Sequence, residues 1–151
     1  QIDFESLSQK QGFSVSNMLT IASLVQAEGD QVDFQKISRV IRNRLKTNMK
    51  LQLDTTVLYA MKTKGRIKVT EADLKVDSKY NTYQYLGLPP GPIGNPGTES
   101  LLAALNPAEG DWLYFITVKP GDTRFTASYD EFLTWKELFN KNYSNGLFGK
   151  S

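Results

Sequence analysis

Between Met18 and Ala27 the sequence reads MLTIASLVQA, and a helix drawn through it carries apolar side chains on nearly every face. Such a helix has no side to give to solvent. Other elements must surround it, and a chain of 151 residues can do so as one ordinary domain with a real core. The stretch is far shorter than a bilayer span and has no basic region ahead of it, so it does not read as a membrane or targeting segment. Ser14 or Ser16 can cap the helix, Glu28 ends it, and Gly29 sits where a left-handed cap is expected.

The elements that could cover it are legible in outline. Residues 1–13 space Ile2, Phe4, Leu7 and Phe13 for a short helix. Residues 33–47 predict the clearest amphipathic helix, with Phe34, Ile37, Val40, Ile41 and Leu45 as its stripe and Lys36, Arg39, Arg42, Arg44 and Lys46 elsewhere. Asp54 offers an N-cap for a helix over Thr55–Lys62, and Thr70 and Asp73 flank a further helical turn. Residues 75–97 hold Gly87, Pro89, Pro90, Gly91, Pro92, Gly94, Pro96 and Gly97, which predicts a long structured loop of the kind that often serves function. Residues 98–105 predict a helix stopped by Asn106-Pro107. Trp112–Val118, the Lys119–Asp122 turn and Thr123–Ala127 predict a hairpin. Ser128 and Glu131 form a capping box for a helix over 129–142, and the segment 144–151 reads as a loose tail. The expected fold is a mostly helical, single α+β domain over 1–151 with a small antiparallel sheet.

Two absences narrow the chemistry. Without Cys there is no disulfide framework, no thiolate zinc site and no thiol nucleophile, which suits an extracytoplasmic bacterial protein. Without His there is no Ser-His or Cys-His pair and no imidazole to move protons near neutral pH. Proton chemistry would fall to carboxylates, Lys, Tyr or the substrate. The net charge of +2 is too small to announce nucleic acid or a membrane surface.

Several residues admit both a chemical and a bland reading. Glu28 ends an apolar helix, where burial and the negative helix end both raise a carboxyl pKa as a general acid requires; it can equally be a solvated glutamate. Asp54 and Thr56 could meet ligand hydroxyls, or Asp54 could simply cap its helix. Tyr80-Asn81-Thr82-Tyr83 and the Pro/Gly segment could grip a sugar or peptide, or form a stiff connector packed on the core. The basic residues from Lys36 to Lys50 read as a solvated face before a phosphate site. The terminal Gly146–Ser151 has the wrong glycine spacing for a phosphate loop, and Asn142-Tyr143-Ser144 matches a glycosylation sequon that is frequent by chance.

Seven segments, in this order and spacing, resemble the catalytic domain of the YceG-like family, the endolytic murein transglycosylases of the MltG type. They are IASLVQAEG (21–29), NRL (43–45), LQLDTTVLYA (51–60), YNTY (80–83), GLPPGPIGNPG (87–97), SLLAALNP (100–107) and LYF (113–115). The resemblance implies a lysozyme-like active-site helix and internal cleavage of peptidoglycan between N-acetylmuramic acid and N-acetylglucosamine, leaving a 1,6-anhydro end. It implies Glu28 as acid and then base. By motif position, Gln52, Asp54, Thr56, Tyr59, Asn81, Thr82, Tyr83 and Asn95 would hold substrate, with no metal and no cofactor. Many relatives carry two glutamates two residues apart in the first segment; this chain has Gln26 and Glu28 there.

The family further implies a longer chain with a membrane anchor, action at the outer face of the bacterial cytoplasmic membrane, and cell-wall synthases as partners. The opening at Gln1 in polar sequence fits an excised domain. Three other readings stay open: a lysozyme-like hydrolase with Asp30 or Asp54 as second carboxylate, a non-catalytic peptidoglycan-binding module, and, last, a nucleic-acid binder through Arg39 and Arg42.

Overall fold

The structure, a computed structural model, describes residues 3–62 and 69–149. Gln1, Ile2, Lys150 and Ser151, which the sequence reading mentions at the two ends, lie outside the described residues. The described elements run α1 (Phe4–Lys10), α2 (Val15–Glu28), α3 (Phe34–Lys46), α4 (Asp54–Ala60), α5 (Thr98–Leu105), β1 (Tyr114–Lys119), β2 (Asp122–Thr126) and α6 (Tyr129–Ser144), with short 3-10 turns at Gln31–Asp33 and Asp73–Lys75. This is the expected α+β domain, helices with one two-stranded antiparallel sheet.

The apolar helix is the axis of the fold. In α2, Met18 and every residue from Thr20 to Val25 are buried, beneath α5, α3, α1 and α4. Met18, Ile21, Leu24 and Val25 form the core with Phe34, Ile37 and Ile41 of α3, Leu51 and Leu53, and Ala103, Ala104 and Leu105 of α5. Each such large side chain stabilises the fold by about 1.5–3 kcal/mol. The two buried hydroxyls are satisfied within the helix: Thr20 donates to the Ser16 carbonyl (2.8 Å) and Ser23 to the Thr20 carbonyl (2.7 Å). Ser14 caps α2 by accepting from Asn17 N–H.

Gly29 is not a left-handed cap. Its backbone is extended (φ −161°), a conformation open to any residue. What keeps it small is packing, since a β-carbon there would stand 2.5 Å from Ile37 Cδ1. Asp54 is likewise not an N-cap: Leu53 holds that position, and Asp54 is the first residue of α4. α4 closes at Ala60, and Lys62 takes a left-handed backbone (φ 56°) that a helix cannot continue through.

The basic run of α3 divides: Lys36 and Lys46, like Lys50 after it, are exposed as a solvated face would be, while its arginines are staples. Arg44 is only 7% exposed and donates to the carbonyls of Leu113 (2.7 Å), Lys50 (2.9 Å) and Leu51 (2.9 Å). Its guanidinium also lies 5.1 Å from the Tyr114 ring centre. Arg42 donates to the Ala104 carbonyl (2.9 Å) and covers the Phe13 ring, while Arg39 donates to the Ala108 carbonyl. Planar guanidinium forks suit such multiple donation. Amphipathic periodicity cannot separate a snorkelling cation from a buried one.

The Pro/Gly loop is pinned to α2. Ile93 N–H donates to Ser23 Oγ (3.0 Å), and Leu88 and Ile93 pack on the core. Gln26 Oε1 accepts from Gly97 N–H and Ser100 Oγ, both at 3.0 Å, tying the end of α2 to the start of α5. The hairpin pairs Tyr114 with Thr126 through to Lys119 with Asp122, turning at Gly121 (φ 82°). α6 lies on β1, where the Tyr114 ring meets Tyr129 and Phe132. Ser128 caps α6 by accepting from Glu131 N–H, and the helix runs to Ser144, two residues beyond expectation. In the segment read as a loose tail, Phe148 packs edge-on to Phe139 (5.1 Å) and Leu147 N–H donates to the Asn142 carbonyl (3.0 Å). The sequon residue Asn142 gives its amide nitrogen to the Val118 carbonyl (2.8 Å).

Two substitutions test these ties. Arg44→Met leaves three carbonyls, one of them buried, without this donor and is expected to lower unfolding free energy by about 3 kcal/mol, read as a drop in urea midpoint. Gln26→Ala removes one acceptor from two donors; it is expected to cost about 1 kcal/mol, a fall in Tm of about 2–4 °C by calorimetry.

Candidate active site

The segment that carries the candidate site is folded against a second one. Thr82 Oγ1 accepts from Leu53 N–H (2.8 Å) and shares a hydrogen bond with Thr56 Oγ1 (2.8 Å), which itself donates to the Leu53 carbonyl (2.7 Å). Gln52 N–H donates to the Thr82 carbonyl (3.2 Å), from a left-handed backbone (φ 51°) that costs a non-glycine residue roughly 1 kcal/mol or more. The fully buried Asn81 locks the other side. Its amide nitrogen donates to the carbonyls of Leu74 (3.0 Å) and Val76 (2.9 Å), and its amide oxygen accepts from Tyr83 N–H (3.0 Å).

This clasp sets two side chains. Asp54 stands in the first turn of α4, and the Tyr83 hydroxyl donates to its Oδ1. Next to Asp54, Thr55 reaches the end of α2, where its hydroxyl donates to Glu28 Oε2. Glu28, Thr55, Asp54 and Tyr83 thus form one cluster drawn from α2, α4 and the loop. Lys136 of α6 acts on Asp54 by charge, and Arg44 acts on Tyr83.

The electrostatics oppose ionisation of Glu28. Burial of its carboxyl is the largest cause and pushes its pKa up to about 7, with help from the Asp54 charge. The hydroxyl and backbone N–H of Thr55 pull the other way and lose. The residue as a whole keeps partial exposure, although its carboxyl is dehydrated. Asp54 is also held above the usual carboxylate range, by burial against the opposing Tyr83 hydrogen bond and Lys136. The Tyr83 hydroxyl is pushed up by burial and by Asp54, which fixes it as a neutral donor. A carboxyl protonated near pH 7 beside a second carboxyl can give and take a proton.

The structure sorts the residues expected at the substrate. Glu28, Asp54 and Tyr83 come together. Gln52, Tyr59 and Asn95 are exposed, with the Tyr59 ring 4.9 Å from that of Tyr80. Thr56, Asn81 and Thr82 are all at most 1% exposed, and their polar atoms bond within the clasp. Polarity in a motif marked them, and the same polarity is what a buried turn needs. Asp30 is exposed and makes no cap bond, apart from the cluster. Thr55 and Lys136 were missed; nothing in the run Asp54-Thr55-Thr56 distinguishes the hydroxyl that faces Glu28 from the one that faces the core. Gln26, two residues before Glu28, points to α5 and away from the cluster.

Among the described residues no group of three or more His, Cys, Asp or Glu side chains is arranged to hold a metal ion. A groove of about 860 Å³ lined by Phe13, Asn17, Arg39, Arg42, Lys46 and Pro89 is lined by none of the four cluster residues.

Residues 1–137 match the sequence profile of the YceG-like family. The chain is 44% identical over 137 residues to an endolytic murein transglycosylase of Bacillus subtilis (strain 168), covering 90% of this chain and 38% of that protein. It is 36% identical over 118 residues to an endolytic murein transglycosylase of Streptococcus pneumoniae serotype 2, covering 75% of this chain and 21% of that protein. A crystal structure of a yceG-like protein from Listeria monocytogenes superposes with a TM-score of 0.78 at 41% identity, over 87% of this chain and 42% of that one. The chain therefore spans well under half the length of the relatives it matches. It belongs to the YceG-like family.

Proposed function

We propose that this chain is an endolytic lytic transglycosylase acting on peptidoglycan, with Glu28 as its single acid and base. The observation that carries the reading is the Glu28 carboxyl, pushed up to about 7 at the end of the central helix in a chain that has neither His nor Cys. The name of the Bacillus and Streptococcus relatives supports the substrate class. Peptidoglycan lies outside the cytoplasmic membrane, so the site of action is extracytoplasmic. No helix among the described residues is long and apolar enough to cross a membrane.

The proton is used twice. Protonated Glu28 donates to the oxygen of the bond between N-acetylmuramic acid and N-acetylglucosamine, the muramoyl C1–O bond breaks, and the N-acetylglucosamine leaves as an alcohol. Positive charge develops at C1, which the muramoyl N-acetyl group can share. The muramoyl C6 hydroxyl oxygen then bonds to C1 and its proton returns to the Glu28 carboxylate. The ring closes as a 1,6-anhydro sugar with no water consumed and the enzyme restored. A second carboxylate nucleophile is not needed, and Asp54 is engaged by Tyr83. Gln52, Tyr59 and Asn95, all exposed, would meet sugar and N-acetyl groups from solvent.

Purified peptidoglycan digested by this chain, with mass spectrometry of the products, is the direct test. Anhydro-ended fragments are expected, reduced at least about 100-fold in Glu28→Gln. Reducing ends would make the chain a hydrolase, and no fragments from either protein would leave a binding module. The free-enzyme rate, kcat/KM, is expected to fall as pH rises through about 7, because the first step needs the protonated acid.

Stability gives a second, independent reading. The folded pKa of Glu28 lies above its ordinary value of 4.5, so its contribution is intact below pH 4.5 and is lost as pH rises through about 7. Glu28→Gln escapes that loss. Its stability relative to the wild type is expected to improve by about 3 kcal/mol between pH 4.5 and pH 8, measured by urea unfolding at both.

A further inference from the structure

We propose that Thr55 is a positioning residue for the acid: its hydroxyl holds Glu28 Oε2 as an acceptor, so that the transferable proton resides on Oε1. This rests on the reading of Glu28 as the acid, and adds which oxygen acts and what holds it there.

The geometry carries the inference. Thr55 comes from α4 and Glu28 from the end of α2, 27 residues earlier, so the bond is a tertiary contact rather than a local turn. The Thr55 backbone N–H also favours the ionised form of that carboxyl. A carboxyl oxygen that accepts a hydroxyl proton has less electron density to hold one of its own, and protonation is favoured on the other oxygen. A carboxyl hung on a four-bond side chain at a helix end would otherwise sample several rotamers, each presenting a different oxygen. Fixing one oxygen removes that freedom before substrate arrives, which is the kind of preorganisation that speeds a proton transfer.

The neighbours are arranged to leave this bond in charge. Asp54, on the same turn of α4, gives its Oδ1 to the Tyr83 hydroxyl, so Tyr83 acts on Asp54 and reaches Glu28 only by charge. Lys136 from α6 faces Asp54, and Arg44 from α3 acts on Tyr83. Among the described residues the hydrogen-bond donor to the Glu28 carboxyl is the Thr55 hydroxyl. Removing it therefore removes that bond and leaves the charged surroundings unchanged.

The test has two readouts on this chain. Carbon-detected NMR titration of the Glu28 carboxyl is run on the wild type, Thr55→Val and Thr55→Ser. Peptidoglycan digestion is run on the same three proteins and on Glu28→Gln. Valine keeps the shape and loses the donor, so the Glu28 pKa is expected to rise by about one unit, the tenfold that a hydrogen bond to a charged group is typically worth. At pH 5.5, where Glu28 is protonated in each protein, kcat is expected to fall about tenfold with KM unchanged. Serine restores the donor, and with it both the pKa and kcat. A Thr55→Val protein with the wild-type pKa and kcat overturns the proposal while the reading of Glu28 stands. A shifted pKa without a loss of kcat shows that the bond exists but does not position the acid, and overturns it also. A Glu28→Gln protein as active as the wild type overturns the acid itself, and Thr55's role with it.

Discussion

A hydroxyl pair, Thr56 and Thr82, 2.8 Å apart and out of reach of water, is the contact on which the site depends. The two residues belong to segments 26 positions apart, and each also bonds the backbone at Leu53. Once joined, the segments leave no freedom in where α4 begins or where the loop after Asn81 turns. Asp54, Thr55 and Tyr83 inherit their positions from that join. The groups that face the acid are thus placed by groups that are themselves buried. A left-handed Gln52 is the strain this join tolerates, and it persists because the surrounding bonds over-determine it.

The acid itself sits between two opposed tendencies. It lies at the carboxyl end of α2, where helix carbonyls disfavour negative charge, and at the amino end of α4, where N–H groups favour it. Burial tips the balance toward the neutral acid, and Thr55 keeps the ionised form accessible. The proposed double use of the acid's proton within one turnover needs neither tendency to be overwhelming.

Much of the fold was legible because it rests on patterning. The all-apolar run of α2 required a covered helix, the stripe of α3 marked its inner face, and residues 98–105 matched α5 at both ends. Glu28, Asp54 and Tyr83 were legible through their segments, and the family through the order of seven motifs. What was not legible has one physical source: a one-dimensional pattern records polarity but not what a polar group bonds to. Thr56, Asn81 and Thr82 are polar because a buried turn needs internal partners, and Arg42 and Arg44 are charged because free carbonyls lay within their reach. Asp54 was misread as a helix cap and Gly29 as a left-handed one because those residue types are common there, while here Asp54 holds a tyrosine and Gly29 caps α2 with an extended backbone beside Ile37.

The burial of residues 20–25 in α2 has a kinetic consequence. Amides of that stretch, beneath four other helices, belong to the most protected part of the fold, while Ser16, Asn17, Gln26 and Ala27 of the same helix stay exposed. Glu28 ends that helix. The proposed acid is therefore tied to the most protected stretch of the chain across the exposed pair Gln26 and Ala27. Local fraying of α6, in which no residue is fully buried, would leave that stretch packed.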